Sequence, residues 1–458
     1  MIKAFINVLK IKELRSRLLF TAGIIILVRM AANIPCPGVD MKALDEYFNS
    51  LQSSAGAGGM LGMVNLFSGG ALQKFAIATL GIMPYITSSI IMQLLVPVIP
   101  ALEKLQREGE SGRQKINQYT RYLTVVICLF QGTMAAMAMI DPSRLGMRAP
   151  QTSLVIENQM WFVPMTVVVL TCTTMILMWL GEQVTERGIG NGVSIIITIN
   201  IIARMPASVY QLYDMAVNRT TIGGQTFKPV HLLLLIMVFI IVTAATIMLT
   251  QGVRRVPIHM VRKTIGSQMQ GGTTHLPLKV NFSGVMPIIF GGAIMMIPGT
   301  VLNWLASNWN APFLFKVASL IRYGSTGYMI CYGTLIIAFA YFWVANMFNP
   351  IQIADNLKRE KAYIPGIKPG KQTADFLDNT MTRITFSGAL FLTALAVFPM
   401  FLASEFKIPM MISSFFGGTS LLIMVGVVLD TMSQLESHLS MRNYDGFLKK
   451  GRIRGRRG

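Results

Sequence analysis

The chain has 458 residues, 53% of them apolar and only 13% charged, about half the charged share of a typical soluble domain. A mean hydropathy of +0.54 excludes a soluble globular protein, and a formal net charge of +20 raises the question of where so many cations are kept. Four cysteines and four histidines (His231, His259, His275, His438) stand in no spacing that suits a metal or a disulfide framework, so no cofactor is expected.

Residues 1–17, MIKAFINVLKIKELRSR, alternate charge with apolar residues and predict a cytosolic amphipathic segment at a membrane surface, with no cleavable signal peptide. Ten apolar runs follow, at 18–34, 75–96, 121–140, 159–180, 192–213, 230–251, 283–304, 327–348, 384–404 and 409–430. Each is near the ~20 residues that cross a bilayer core. They predict an all-α polytopic membrane protein of ten transmembrane helices. An N-terminal half covers 18–213, an external connector 214–229 and a C-terminal half 230–431, with a basic cytosolic tail at 432–458. A half with an odd number of spans repeats in inverted orientation, although no sequence match joins the two halves here.

Charge sets the orientation through the positive-inside rule. With the N-terminus cytosolic, 29 of the 40 basic residues fall on the cytosolic side and 10 on the other, with Arg29 near the end of the first span. Both termini are then cytosolic. Topology alone accounts for most such loops. Two of them, 252–282 and 349–383, are longer than a turn between helices requires, and the tail ending KKGRIRGRRG suits anionic lipid or RNA.

The centres of the spans are almost free of ionisable groups, whereas coupled transporters keep buried carboxylates, His or Lys. A nucleophile-and-base arrangement is not visible either, so an enzyme is not expected. A passive conduit with an apolar constriction fits better. A secondary transporter and a membrane scaffold whose loops bind RNA or acidic proteins stand as rival readings. The Gly-rich stretch GAGGMLGMVNLFSGGAL (Gly56–Leu72) is too short to span, and reads either as an external loop or as a re-entrant half-helix.

The most informative segment is NPIQIADNLKREKAYIPGIKPGKQTADFLDNTMTRIT (Asn349–Thr385), a basic loop stiffened by two Pro-Gly turns. It closely resembles the loop between the eighth and ninth membrane helices of the SecY family, channel subunits of the bacterial Sec protein translocase. NLFSGGALQKFAIATLGIMPYITSSIIMQLL (Asn65–Leu95) resembles the family's plug and second helix, and GEQVTERGIGNGVSIII (Gly181–Ile197) the entry to its fifth. TQGVRRVPIHMVRK (Thr250–Lys263) resembles its sixth-to-seventh loop and FGGTSLLIMVGVVLDT (Phe416–Thr431) its tenth helix. The similarity covers essentially the whole chain.

The resemblance implies two inverted five-helix halves around an hourglass pore that opens sideways to lipid between the second and seventh helices. It implies a pore ring of Ile82, Ile86, Val193, Ile197, Ile289 and Ile423. Branched aliphatic side chains would make a dry gasket that fits any passing residue. It implies a plug over about 60–72, with Met60, Leu61, Asn65, Leu66, Phe67, Ser68, Gly69 and Gly70, and lateral-gate residues Thr87, Ser88, Gln93, Gln131 and Met295. Gln131 has an alternative reading as a satisfied interhelical polar residue with no gating role. Docking of the ATPase SecA and the ribosome would fall to Arg254, Arg255, Arg262 and Lys263 in one loop and Lys358, Arg359, Lys368 and Lys371 in the other. The implied function is the central protein-conducting channel of the translocon. It would pass unfolded secretory chains across the plasma membrane and release membrane-protein segments into the lipid bilayer, with SecE and SecG as partner subunits. Any ATP hydrolysis would belong to SecA, since the chain has no GxxxxGK[ST] loop.

Two departures stand out. Lys368 occupies a turn position where the family commonly has Arg, which keeps the charge but loses the bidentate fork. Lys361-Ala362 stands where Gly-Gly is frequent.

Overall fold

The computed structural model describes residues 11–52, 65, 68–142, 153–156, 159–217, 221–222, 225–226, 229–260, 263–265, 268–270, 273–292, 294–295, 302, 312–321, 324–405 and 418–450. The chain forms two compact units, one of Met1–Ala207 with Ile423–Gly458 and one of Ser208–Leu422. Among the described residues, seven helices are long and apolar enough to cross a membrane, or eight if the bent pair described below counts as one span. The chain is a multi-pass helical membrane protein, and its fold accommodates the ten expected spans.

In the first unit, α1 (Lys12–Ala31) leads into α2 (Met41–Gln52), whose start is capped by Asp40: Lys42 N donates to Asp40 Oδ1 over 2.9 Å. The expected run 75–96 is helical only from Met83, in α3 (Met83–Leu95). Phe75 (φ 39°) and Gly81 (φ 56°) cannot join a right-handed helix, and Pro84 favours a first turn. α3 then breaks into α4 (Pro100–Arg107) with a bend of 98°. α5 (Glu110–Ile140) begins eleven residues before its apolar run, because KINQYTRY is polar but continues the helix. It packs on α3 and on α6 (Gln159–Arg187). Arg121 on α5 grips Glu182 on α6 with two bonds, Nη2–Oε2 at 2.7 Å and Nε–Oε1 at 3.2 Å.

Two hydrophobic clusters close this unit. One joins Leu44, Tyr47 and Phe48 of α2 to Phe75, Met139, Leu154, Phe162 and Leu170. The other, of Leu14, Ile189 and Leu435, joins α1 to the loop before α7 (Gly192–Val217) and to α13 (Gly418–Lys450). That loop approaches both helices closely. Thr21 Oγ1 accepts from Ile189 N at 3.3 Å. A Cβ placed on Gly190 would lie 3.0 Å from Thr431 Oγ1.

The second unit carries α8 (Pro229–Gln251), the short hairpins β1 (Thr221–Ile222) with β2 (Gln225–Thr226) and β4 (Lys263–Ile265) with β5 (Gln268–Gln270), and α9 (Pro312–Leu320). Between α8 and a helical stretch at 286–292, β3 (Val253–Met260) pairs antiparallel with β6 (Thr273–Lys279) from Val253↔Lys279 to His259↔Thr273. After α10 (Thr326–Met347), α11 (Pro350–Arg359) is capped by Asn349, whose side chain accepts from Gln352 N. β7 (Ala362–Tyr363) then adds to the far edge of β3, giving the order β6-β3-β7. α12 (Lys371–Glu405) packs along α10. The stretch 286–292 is tied to α10 by Tyr332, whose buried hydroxyl donates to Ile288 O at 3.2 Å.

Candidate conduit, plug seat and docking surface

The expected ring residues arise where helices begin or turn. Ile82 is the N-cap residue of α3, and Ile86 stands one turn on. Val193 and Ile197 lie one turn apart at the start of α7, and Ile423 lies early in α13. Ile82, Ile86, Ile197 and Ile423 are buried, while Val193 and Ile289 are half-buried. Ile82 and Val193 converge on Gly181 of α6. A Cβ there would stand 3.6 Å from Ile82 Cδ1 and 3.5 Å from Val193 Cγ2. Ile289 belongs to the second unit, and the other five to the first.

Of the expected plug residues, Asn65, Ser68, Gly69 and Gly70 are described, whereas Met60, Leu61, Leu66 and Phe67 lie outside the described residues. Asn65 organises the turn: its carbonyl accepts from Gly70 N (2.9 Å) and Ser68 Oγ (3.2 Å), and its Oδ1 from Gln73 N (3.2 Å). The chain beyond is stitched to the end of α1, with Cys36 N donating to Phe75 O and Ile77 N to Ile34 O, both at 2.9 Å. Burial pushes the Cys36 thiol above its ordinary pKa, with an opposing hydrogen bond to Thr166.

Two arginines outside the expected site residues, Arg29 and Arg204, face this turn. Arg29 Nη1 donates to Gly69 O at 3.2 Å. Arg204 Nη2 and Nη1 reach Gln73 Oε1 at 3.3 and 3.4 Å. Glycine is required at both intervening positions. Gly69 and Gly70 have φ of 66° and 93°, and a Cβ on Gly69 would stand 2.6 Å from Arg29 Nη1 and 2.9 Å from Asn200 Oδ1. An arginine inside the apolar run 192–213 was itself the available signal, since intramembrane cations face protein or water.

Among the expected gate residues, Thr87 and Ser88 are spent on their own helix, donating to Met83 O (3.0 Å) and Pro84 O (2.8 Å). Gln93 is exposed and donates to Ser89 Oγ at 3.2 Å, Gln131 is half-buried and Met295 is buried.

The two basic loops meet in one sheet. β7 pairs with β3 at His259↔Tyr363 and Met260↔Ala362. Beneath the sheet, Val256, Leu278, Ile364, Leu377 and Met381 pack with Val344 and Phe348, and Leu357 with Ile258 and Ala362. Arg254, Arg255, Lys358, Arg359, Lys368 and Lys371 are all exposed, Lys263 opens β4, and Arg262 lies outside the described residues. Lys368 sits on a turn whose carbonyl accepts from the buried Thr373 hydroxyl at 3.0 Å. Lys361, directly before β7, holds a left-handed φ of 55°.

The family model described as SecY matches residues 76–432. A protein translocase subunit SecY of Thermotoga maritima is 40% identical over 456 residues, 99% of this chain and all of the relative. The chain belongs to the SecY family. Escherichia coli K12 SecY is 40% identical over 447 residues, covering 97% of this chain and 96% of the relative. Structural likeness extends further. A structure described as "The structure of a protein conducting channel" aligns with a TM-score of 0.60 at 16% identity, over 92% of each chain. One described as Sec61 in the canine ribosome-channel complex aligns at 0.57 and 16%, also over 92% of each. The SecY family model spans the expected ring positions and both basic loops, and begins after Gly69 and Gly70.

Proposed function

We infer that this chain is the central protein-conducting channel of a Sec translocon, a membrane channel rather than an enzyme. The observation that carries this is its end-to-end likeness to translocase subunits, 40% identical over 456 residues in one case. Ile82, Ile86, Val193, Ile197, Ile289 and Ile423 line the constriction, and the segment 60–72 closes it from the external side. Thr87, Ser88, Gln93, Gln131 and Met295 belong to a lateral exit by which hydrophobic segments enter lipid. Both termini face the cytosol of a bacterial inner membrane, in keeping with the positive-inside rule.

The partners follow from the same reading: SecE and SecG in the membrane, and SecA and the translating ribosome at the cytosolic surface. Basic residues exposed on two loops that share one sheet suit an acidic or phosphate-bearing partner, because clustered charge steers association. Reconstitution with SecE and SecG into proteoliposomes tests the proposal. A secretory precursor should become protease-protected when SecA and ATP are added. Uptake of a small solute in place of the precursor would favour a transporter, and RNA binding without any conductance would favour a scaffold.

A further inference from the structure

We propose that Arg29 and Arg204 form a two-pronged cationic clasp that holds the 68–73 turn in its seat and slows its departure. The inference rests on the reading of 60–72 as a displaceable plug, and adds the contacts that retain it. It begins from cost. A guanidinium within an apolar helix is expensive unless oxygen acceptors or water surround it. Arg204 is only 8% exposed. The two side chains come from different helices, α1 and α7, and both reach the same short turn.

The acceptors that the turn offers them are polar but uncharged. Arg29 takes the Gly69 carbonyl and Arg204 takes the Gln73 side-chain oxygen, four residues further on. Each prong therefore holds one end of the turn. Two like charges repel, so neutral oxygens between them lower the energy of keeping both cations there. The missing side chains of Gly69 and Gly70 let the guanidiniums touch the backbone, and any Cβ at 69 would displace Arg29. The turn cannot leave without giving up both acceptors together. The clasp is thus strongest while the seat is dry, and weakens once water enters and offers other acceptors. All of these groups lie in the first unit.

The experiment uses the reconstituted channel complex carrying Ala71→Cys, a position fully buried in the seated turn. The exposed Cys172 and Cys331 are changed to Ser, and the buried Cys36 and Cys128 stay. A membrane-impermeant maleimide is added outside and the labelling rate read. Arg204→Met and Gln73→Leu should each raise that rate about tenfold, and the double variant no further, as expected for two ends of one charged hydrogen bond. Arg29→Met should raise it as well. Arg204→Lys, which keeps the charge but loses the fork, serves if Arg204→Met does not assemble, and should give a smaller rise. Rates unchanged in every single variant, or effects that multiply in the double, would overturn the clasp. Resting ion conductance separates this proposal from the plug reading: if labelling rises while conductance stays at the parent level, the clasp stands and the segment is not the seal.

Discussion

Tyr363 lies opposite His259, their rings 6.0 Å apart, where a strand of one basic loop pairs with a strand of the other. The pairing joins the two basic loops through β3 and β7, with β3 following directly on α8.

Lys361 enters that pairing in a left-handed conformation which a side chain disfavours. Lys361→Gly should stabilise the loop by about 0.5–1 kcal/mol, and Lys361→Val should destabilise it by at least as much. Limited proteolysis of the 349–383 loop reads both, with slower cleavage for glycine and faster for valine.

Charge reversal at Lys368 removes an exposed cation from a turn whose backbone is fixed by Thr373. Lys368→Glu should therefore change stability by no more than about 0.5 kcal/mol. SecA-driven transport should fall by about tenfold, the equivalent of one charge contact at an interface. Normal transport and normal SecA and ribosome affinities at low salt would leave this loop's charge with a topological role only.

Replacing Ile82, Ile86, Val193 and Ile197 together with Ser should let ions leak through the resting channel, because the dewetted constriction would be lost. Ile82 and Ile86 are also core residues, so truncating either is expected to cost about 2–4 kcal/mol. Conductance must accordingly be read on complexes whose melting has been measured. An intact four-fold variant without leak would remove the ring assignment.

Arg121 and Glu182 couple α5 to α6 by a two-bond pair that is partly open to solvent, their side chains 45% and 23% exposed. A double-mutant cycle should give a coupling of about 1 kcal/mol, falling with salt. Arg121→Lys should lose most of it, since lysine cannot present two donors in a fork.

Tyr332→Phe deletes the hydroxyl that binds Ile288 O and leaves that carbonyl buried. The expected loss is about 1–2 kcal/mol in thermal or denaturant unfolding of the complex. Because the bond holds the helical stretch that carries Ile289, the same variant should also raise resting conductance.

Much of this architecture is legible in the chain. The apolar runs mark α5, α6, α7, α8, α10 and α12, because a bilayer core demands continuous apolar length that few other constraints imitate. Helix starts are not legible in the same way. Hydropathy marks where lipid begins, while α5 and α12 carry on through polar sequence whose backbone bonds are made within the helix. The delayed start of α3 depends on φ at Phe75 and Gly81, which composition does not report. The two basic loops are legible as charge and length, but their union in one sheet is not, because β7 is only two residues long. Arg204 is legible as a cation within an apolar run, but its partner Gln73 is not, since the two stand far apart in the chain.

The first unit is discontinuous, and this has a consequence in time. Leu14 and Ile189 find their third partner in Leu435, and Gly190 meets Thr431, both on a helix made last. At roughly 5–20 residues per second, the ribosome needs on the order of ten to forty seconds to deliver it after α7 has emerged. Throughout that interval Leu14 and Ile189 lack the partner that Leu435 supplies. A nascent copy is then most open to membrane proteases and to wrong helix partners, so truncation anywhere before residue 423 should mark the N-terminal part of this unit for degradation.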